Sequence, residues 1–517
     1  MIKKIKHEIS GNISYIYFGY FISILTILPL CIINYNNHPE RIMFFSIVLM
    51  LLFLFSKFYR MLFSLLIAYI SLMNILLWHI YIHWGYTGSI VPRIDVSIIS
   101  PHYETLEYMR TYIDYRDVLF GLYSLCIWIL LYLFIKYFRH SFKVLKSISS
   151  TLFIMIILMF VVYNKNPFRK IEPFSTPYDI YKSIHYAQIF NSRTKYLDSL
   201  DKNITMHKDL LYDKIIFIQG ESVNKHHMSI YGYDQNTTPF FSSMRANKDF
   251  YIFNAIAPTN QTRYSVPIMH TPANVHDFKN AFIHSTSIAD DLKQNSYMTY
   301  WISNQGKAGK YDDSIASLGH EANVSYFPNA KYTMAKPDGV LLKYINTMKN
   351  SGDNEMMVIH LIGSHVKYTD RYPQSIALFK NPSTIEESYD NTIFYTDYIV
   401  NKIFKYFMHN FHDKKILFIY VADHGEVVDQ KKHGHGFNPT YKDEYEIPFV
   451  LYSTIPNKRI ENLYTSNKKK YFNLENLNYM IKYIVGFTNE AHVSYSSDVF
   501  TLDPKNIVDF NRLKYFK

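Results

Sequence analysis

Ile416-Leu-Phe-Ile-Tyr-Val421 runs, one residue later, into Asp423-His424-Gly425-Glu426, and the reading of the whole chain turns on this stretch. Six uncharged residues in a row read as a buried strand. An acid and an imidazole side by side at its end read as two ligands for one metal ion. Other segments end in the same way. Lys214-Ile-Ile-Phe-Ile-Gln219 runs into Gly220-Glu221-Ser222, and Phe250-Tyr-Ile-Phe253 is soon followed by Thr262-Arg-Tyr-Ser-Val-Pro267. Met356-Met-Val-Ile-His360 runs into Gly363-Ser364-His365, and a His433-Gly434-His435-Gly436 loop follows the Asp423 segment. In an open α/β sheet, ligands bind outside the carboxyl ends of the strands. A carboxylate, a hydroxyl and several imidazoles delivered to that edge suit a hard-to-borderline metal.

At 517 residues the chain is too long for one core, and its two parts differ in character. Residues 1–164 hold long apolar runs, while residues 165–517 have the composition of a polar globular domain. Five runs are candidate membrane spans: 13–34, 42–56, 61–78, 118–135 and 147–164. Eighteen uncharged residues rise about 27 Å as a helix, against a hydrocarbon core of roughly 30 Å. The shortest run, 42–56, lies between Arg41 and Lys57, whose side chains can snorkel from its ends. The basic residues Lys3, Lys4 and Lys6, then Lys57 and Arg60, then Lys136, Arg139, Lys143 and Lys146 mark three cytoplasmic segments. Five spans then place the amino terminus inside and residues 165–517 outside.

The net charge of +11 carries no basic stripe tied to a nucleic-acid motif, and much of it flanks the spans, so no nucleic-acid partner is expected. Both cysteines, Cys31 and Cys126, fall in expected spans, which leaves the external part without disulfides. Between the third and fourth spans, residues 94–107 read as a short helix on the membrane surface. Residues 165–212 form a connector broken early by Pro167, Pro173 and Pro177. Its amphipathic stretch, 178–200, suits either the headgroup region or the face of the domain. From residue 213 short apolar strands (214–219, 250–255, 298–302, 355–361, 415–421, 447–453) alternate with helices (386–409, 473–485), the pattern of a mostly parallel sheet covered by helices.

Each site residue has an ordinary reading beside the chemical one. Glu221 serves equally as an acid near a helix N-terminus. Thr262 serves equally as an N-cap, whereas a metal on its hydroxyl would make it an alkoxide nucleophile. His360 lies within the apolar strand end and reads as a core histidine. His365, His433 and His435 follow or lie in glycine turns, where imidazoles can bind a second metal, contact a phosphate or protonate a leaving group.

Gly220-Glu221, Thr262-x-Tyr-Ser-Val-Pro267, His360-x-x-Gly-Ser-His365, Tyr389-Asp-Asn-Thr-Ile393 with Tyr395-Thr-Asp397, and Asp423-His-Gly-Glu426 together carry a resemblance. The chain resembles the membrane-anchored phosphoethanolamine transferases of Gram-negative bacteria, over nearly its whole length. These include the lipid A-modifying and mobile colistin-resistance (polymyxin-resistance) enzymes of the alkaline phosphatase and sulfatase superfamily. The resemblance implies an inner-membrane, multi-pass domain over 1–164, a connector over 165–212 and a periplasmic sulfatase-like α/β domain over 213–517. It implies one tightly bound Zn2+ held by Glu221, Thr262, Asp423 and His424, with room for a second in turnover. Thr262 matches the nucleophile, and His365 and His435 match positions that bind the transferred group or assist proton transfer; His433 is the alternative to His435. His360 matches a histidine near the site, and Asn304, Gln305, Lys307 and Lys310 match polar contacts to phosphoethanolamine.

The implied reaction transfers phosphoethanolamine from phosphatidylethanolamine to lipid A or a lipopolysaccharide-type acceptor, on a monomeric enzyme. Family members often carry disulfides in the domain, and this chain departs from them there. The alternatives are a phosphoglycerol transferase with a similar threonine and metal, and a membrane signalling or transport protein with an inactive external domain. The spans lack an intramembrane charged pathway, which argues against transport. A sulfatase would need a cysteine in the external domain for conversion to formylglycine, and none is present.

Overall fold

A computed structural model describes residues 17–18, 21–26, 28–29, 57–84, 113–137, 192–200, 210–305, 314–328, 336–347, 354–437, 439–468, 470–501 and 506–516. The chain divides into two compact units, one of residues 1–95 and 112–183, the other of residues 96–111 and 184–517. The expected spans 42–56 and 147–164 and the surface segment 94–107 lie outside the described residues, as do Lys307 and Lys310.

In the first unit, described residues between 17 and 29 are helical, within the expected span 13–34. Helix α1 (Lys57–Trp84) contains the run 61–78, and α2 (Tyr115–Tyr137) contains 118–135. Among the described residues one helix, Tyr115–Leu133, is long and apolar enough to cross a membrane. Val118, Leu119, Leu122, Leu125, Ile129 and Tyr132 of α2 are all exposed, an apolar surface suited to lipid. Polar side chains turn inward instead. Asn74 Nδ2 donates to the carbonyl of Thr26 (2.7 Å), and the Tyr123 hydroxyl donates to that of Leu25 (2.5 Å), the kind of interhelical bond that joins helices in lipid.

The second unit is built on an eight-stranded sheet. Its strands are β1 (Lys214–Gly220), β2 (Phe250–Ile256), β3 (Met298–Ser303), β4 (Val324–Tyr326), β5 (Glu355–His360), β6 (Ile416–Ala422), β9 (Glu446–Ser453) and β10 (Phe472–Asn473). Two short antiparallel pairs flank it, β7 (Val427–Val428) with β8 (His433–Gly434) and β11 (Asp498–Phe500) with β12 (Ile507–Asp509). The sheet order is β10-β2-β9-β6-β1-β5-β3-β4. Every pairing is parallel except those of β9 with β2 and with β6. All residues of β1, β5 and β6 are buried, which is why these central strands read as unbroken apolar runs. The exceptions at their starts are paired: Lys214 Nζ meets Glu355 across the β1–β5 register at 2.8 Å.

The expected strands and the helix 386–409 are present within a residue or two of their bounds, and the main sheet gains β4 and β10. Both additions are too short for a periodic signal. The run 473–485 is a 3-10 turn leading into a helix, Leu477–Val485. The long helix Ile385–Asn410 is started by Thr384, whose side chain accepts from Glu387 N, and it buries Tyr389, Ile393, Ile399, Ile403 and Phe407 on one face. Of the amphipathic stretch 178–200, residues 192–199 are helical and pack on this unit. The Arg193 guanidinium is fully buried, pairs with Glu321 at 2.8 Å and lies over the Phe282 ring. Of the two readings offered for that stretch, the described part takes the face of the domain.

Candidate active site

The site lies at one edge of the sheet because β1, β6, β5 and β3 are adjacent and parallel, so their carboxyl ends coincide. Glu221 follows β1, Asp423 and His424 follow β6, His365 follows β5, and Gln305 follows β3. β2 is antiparallel to β9, which is antiparallel to β6, so β2 also points its carboxyl end there. Thr262 follows β2 as the first residue of the helix Thr262–His270.

Thr262 is not the N-cap of that helix. Gln261 holds that position and makes no side-chain cap bond. The Thr262 hydroxyl instead lies 3.2 and 3.1 Å from the two oxygens of Glu221 and 3.1 Å from His424 Nε2. His424 Nδ1 donates to the carbonyl of Gly425 at 2.9 Å, and because a carbonyl only accepts, the proton sits there and the lone pair of Nε2 faces Thr262. Asp423 Oδ1 accepts from the amides of Ser222 (3.0 Å) and His424 (2.7 Å). Asp423 Oδ2 is buried without a hydrogen-bond partner and lies 3.5 Å from His424 Nε2, the same separation as Glu221 Oε1.

Two fully buried carboxylates that face one another need a cation or a proton. Burial, and then the charge of Asp423, pushes the Glu221 carboxyl well above the usual carboxylate range. The ligand atoms of Glu221, Asp423 and His424 lie within 4.8 Å of one another. With the orphaned Asp423 oxygen, the lone pair of His424 and the hydroxyl of Thr262, this donor set fits a four-coordinate zinc. His424, Glu426 and His435 form a second such trio beside it.

Local backbone geometry holds these groups. Ser222 sits at φ +57, unusual for a residue with a Cβ, and its hydroxyl donates to Glu221 Oε1 at 2.7 Å. A Cβ on Gly363 would stand 2.8 Å from the Glu221 carbonyl oxygen, so the turn after β5 can approach β1 only with glycine there. That turn is fastened by buried Asp338, which accepts from the amides of Ile362 (2.8 Å) and Gly363 (3.0 Å). Arg371 clamps the next residues through the carbonyls of His365 (2.7 Å) and Val366 (2.8 Å).

The histidines separate by position. The His435 ring is 4.1 Å from that of His424 and 6.1 Å from that of His365. His433 lies in β8, with its ring 6.0 Å from Tyr368. His360 is fully buried, bonded to Ser303 Oγ at 3.1 Å, and burial pushes it down to about 4, so it is a neutral core imidazole. Gln305 Nε2 donates to Glu221 Oε2 at 2.7 Å and orients that carboxylate. Buried Asn304 donates to Asp338 and to the carbonyl of Lys336, both at 2.8 Å, and thereby supports the loop.

Glu426 closes the Asp423-His-Gly-Glu426 motif, whose sequence alone assigns it no role. The structure places it fully buried, with Oε1 accepting from the Tyr368 hydroxyl and Oε2 against His435 Nδ1, both at 2.8 Å. Burial pushes Glu426 up to about 8. The acid three residues after Asp423 was a visible signal; Tyr368 left none.

Residues 213–478 match the family model described as Sulfatase. The chain belongs to the sulfatase family. Among curated relatives it is 28% identical over 318 residues to the putative transferase YhbX of Escherichia coli O157:H7, covering 58% of this chain and 56% of that one. It is 24% identical over 391 residues to the phosphoethanolamine transferase EptC of Escherichia coli O18:K1:H7, covering 68% and 67%. The chain spans about half the length of the first of these relatives. Among solved structures, the integral membrane lipooligosaccharide phosphoethanolamine transferase EptA from Neisseria meningitidis superposes with a TM-score of 0.62 at 15% identity, covering 91% of this chain and 95% of that one. The periplasmic domain of EptC from Escherichia coli, in complex with Zn, superposes with a TM-score of 0.50 at 20% identity, covering 60% and 98%. At these identities the likeness is one of fold.

Proposed function

We propose that this sulfatase-family protein transfers phosphoethanolamine from phosphatidylethanolamine to a lipid A or lipopolysaccharide-type acceptor. The observation that carries this reading is the Thr262 hydroxyl, free of capping duty and set between Glu221 and His424. The names of the relatives, phosphoethanolamine transferases among them, support the group transferred. Zinc would be held by Glu221, Thr262, Asp423 and His424, and when bound it would supply charge neutralisation at the phosphoryl oxygens and a lowered pKa at the hydroxyl.

Thr262 attacks the phosphorus of the donor in line. Its Oγ1 forms the new P–O bond as the bond to the glyceride oxygen breaks, releasing diacylglycerol. The proton from the hydroxyl passes to a carboxylate oxygen of Glu221, 3.1 Å away, and His435, backed by Glu426, or His365 delivers one to the departing alkoxide. The acceptor oxygen then attacks the phosphothreonine ester, its proton is taken by the same imidazole, and Thr262 is restored. Two inversions leave the configuration at phosphorus retained. Anchoring of the chain in the membrane that holds the lipid donors would raise their effective concentration.

The test uses full-length protein in detergent with zinc, acyl-labelled phosphatidylethanolamine and lipooligosaccharide. The expected products are labelled diacylglycerol and an acceptor heavier by one phosphoethanolamine. Consumption of phosphatidylglycerol with transfer of glycerol phosphate, while phosphatidylethanolamine stays intact, would replace this reading with a phosphoglycerol transferase.

A further inference from the structure

The first unit holds its own cluster of ligating groups, far in sequence from the site above. His79 and His83 lie four residues apart on α1, so both imidazoles leave the same face of the helix. Asp117 lies in the first turn of α2 and reaches both: His79 Nδ1 to Oδ1 is 2.7 Å, and His83 Nε2 to Oδ2 is 3.0 Å. The three ligand atoms lie within 4.8 Å of one another, and the side chains are between 10 and 14% exposed.

We propose that His79, His83 and Asp117 form a zinc-binding site that joins the ends of α1 and α2. Two imidazoles and a carboxylate are a borderline-metal donor set, and three protein ligands leave a fourth position for water. Zinc bonds of about 2.0–2.1 Å at tetrahedral angles need ligand atoms about 3.3 Å apart. The contacts run to the two different oxygens of Asp117, at 2.7 Å from His79 and 3.0 Å from His83, so to admit the ion they open by about 0.6 and 0.3 Å. A supporting contact is in place. The Asp114 amide donates to Asp117 Oδ2 at 3.0 Å and orients the carboxylate. The Arg116 guanidinium hydrogen-bonds to Asp114 at 2.7 and 2.9 Å, and not to Asp117. The geometry pairs helix ends that are otherwise joined by apolar packing, such as the stacking of Trp78 on Phe120 at 4.8 Å. Ionisable groups in such apolar helices are costly and are kept for a role.

The experiment separates this site from the one after β6. Full-length protein in detergent is stripped with chelator, reloaded with zinc chloride, desalted and analysed for zinc by mass spectrometry. A Glu221→Ala/Asp423→Ala variant is expected to retain about one zinc per chain. Adding His79→Gln and His83→Gln, which can still donate hydrogen bonds to Asp117, is expected to remove it. Cobalt loaded into the Glu221→Ala/Asp423→Ala protein should show visible d–d absorption, a readout that leaves the three ligands intact. Asp117→Asn in the same background provides a second ligand deletion. Absence of zinc and of the cobalt band from the Glu221→Ala/Asp423→Ala protein would overturn the proposal. So would a zinc content that neither the histidine changes nor Asp117→Asn lowers. Failure of the catalytic reading is distinguishable, because it appears as equal zinc in the wild type and the Glu221→Ala/Asp423→Ala protein.

Discussion

Glu426→Gln is the substitution that most sharply tests how the site handles protons. Gln has the shape of Glu, so its carbonyl can still accept from the Tyr368 hydroxyl, now 2.8 Å from Oε1. The amide nitrogen then faces His435 Nδ1, where Oε2 stands at 2.8 Å. An amide NH2 only donates, which forces Nδ1 to accept and places the ring proton on Nε2. His435 then presents an N–H to the reaction and can no longer take a proton from the acceptor. Positioned acid–base catalysis is worth about 10²–10⁴ in rate, or about 3–5 kcal/mol of barrier. We expect kcat for transfer to fall within that range. KM for the donor should change little, and zinc at Glu221, Asp423 and His424 should persist. The assay is release of labelled diacylglycerol with and without acceptor, beside zinc analysis of the same preparation. Wild-type kcat in a zinc-loaded Glu426→Gln protein would refute the assignment of His435 as the proton carrier.

A methyl group on Gly425 would lie 2.1 Å from the Asp443 carbonyl oxygen, so Gly425→Ala should cost about 3 kcal/mol or more and lower Tm by several degrees, as thermal unfolding would show. Asp423→Ala should strip the tightly held zinc and abolish transfer while the domain stays folded, checked by zinc analysis and circular dichroism. Asp397 is buried against the amides of Phe240 and Phe241, and burial pushes it up to about 7. The folded state therefore binds this proton more tightly than the unfolded chain, and the Asp397 contribution to stability falls as pH rises from about 4 to about 7. Relative to Asp397→Asn, the wild type should lose Tm across that window, and a difference independent of pH would count against the buried carboxyl.

The strands were legible because β1, β5 and β6 are buried on both faces and so carry unbroken apolar runs. Their common direction was legible from the helical stretches between them. The antiparallel setting of β9 was not, since Glu446–Ser453 has the same apolar pattern whichever way it runs. At the site, Glu221, Asp423 and His424 were readable because each directly follows a strand. Thr262 was readable as a helix start, but only geometry shows that its hydroxyl leaves the cap and meets Glu221. The roles of Asn304 and Gln305 could not be read, because neighbours on one loop face opposite ways: one supports Asp338 and the other orients Glu221. His433 and His435 posed the same difficulty two residues apart. The β7–β8 pairing places His433 beside Tyr368 and His435 beside His424.

The central claim is that Thr262 carries the phosphoethanolamine between donor and acceptor. Peptide mass spectrometry after incubation of the zinc-loaded protein with phosphatidylethanolamine, and without acceptor, tests it most directly. The account predicts a phosphoethanolamine ester on the peptide containing Thr262, discharged when acceptor is added. It also predicts loss of ester and transfer together in Thr262→Ala, although Glu221, Asp423 and His424 still hold zinc. An unmodified Thr262 peptide in a wild-type protein that turns over donor, together with an active Thr262→Ala variant, would contradict it.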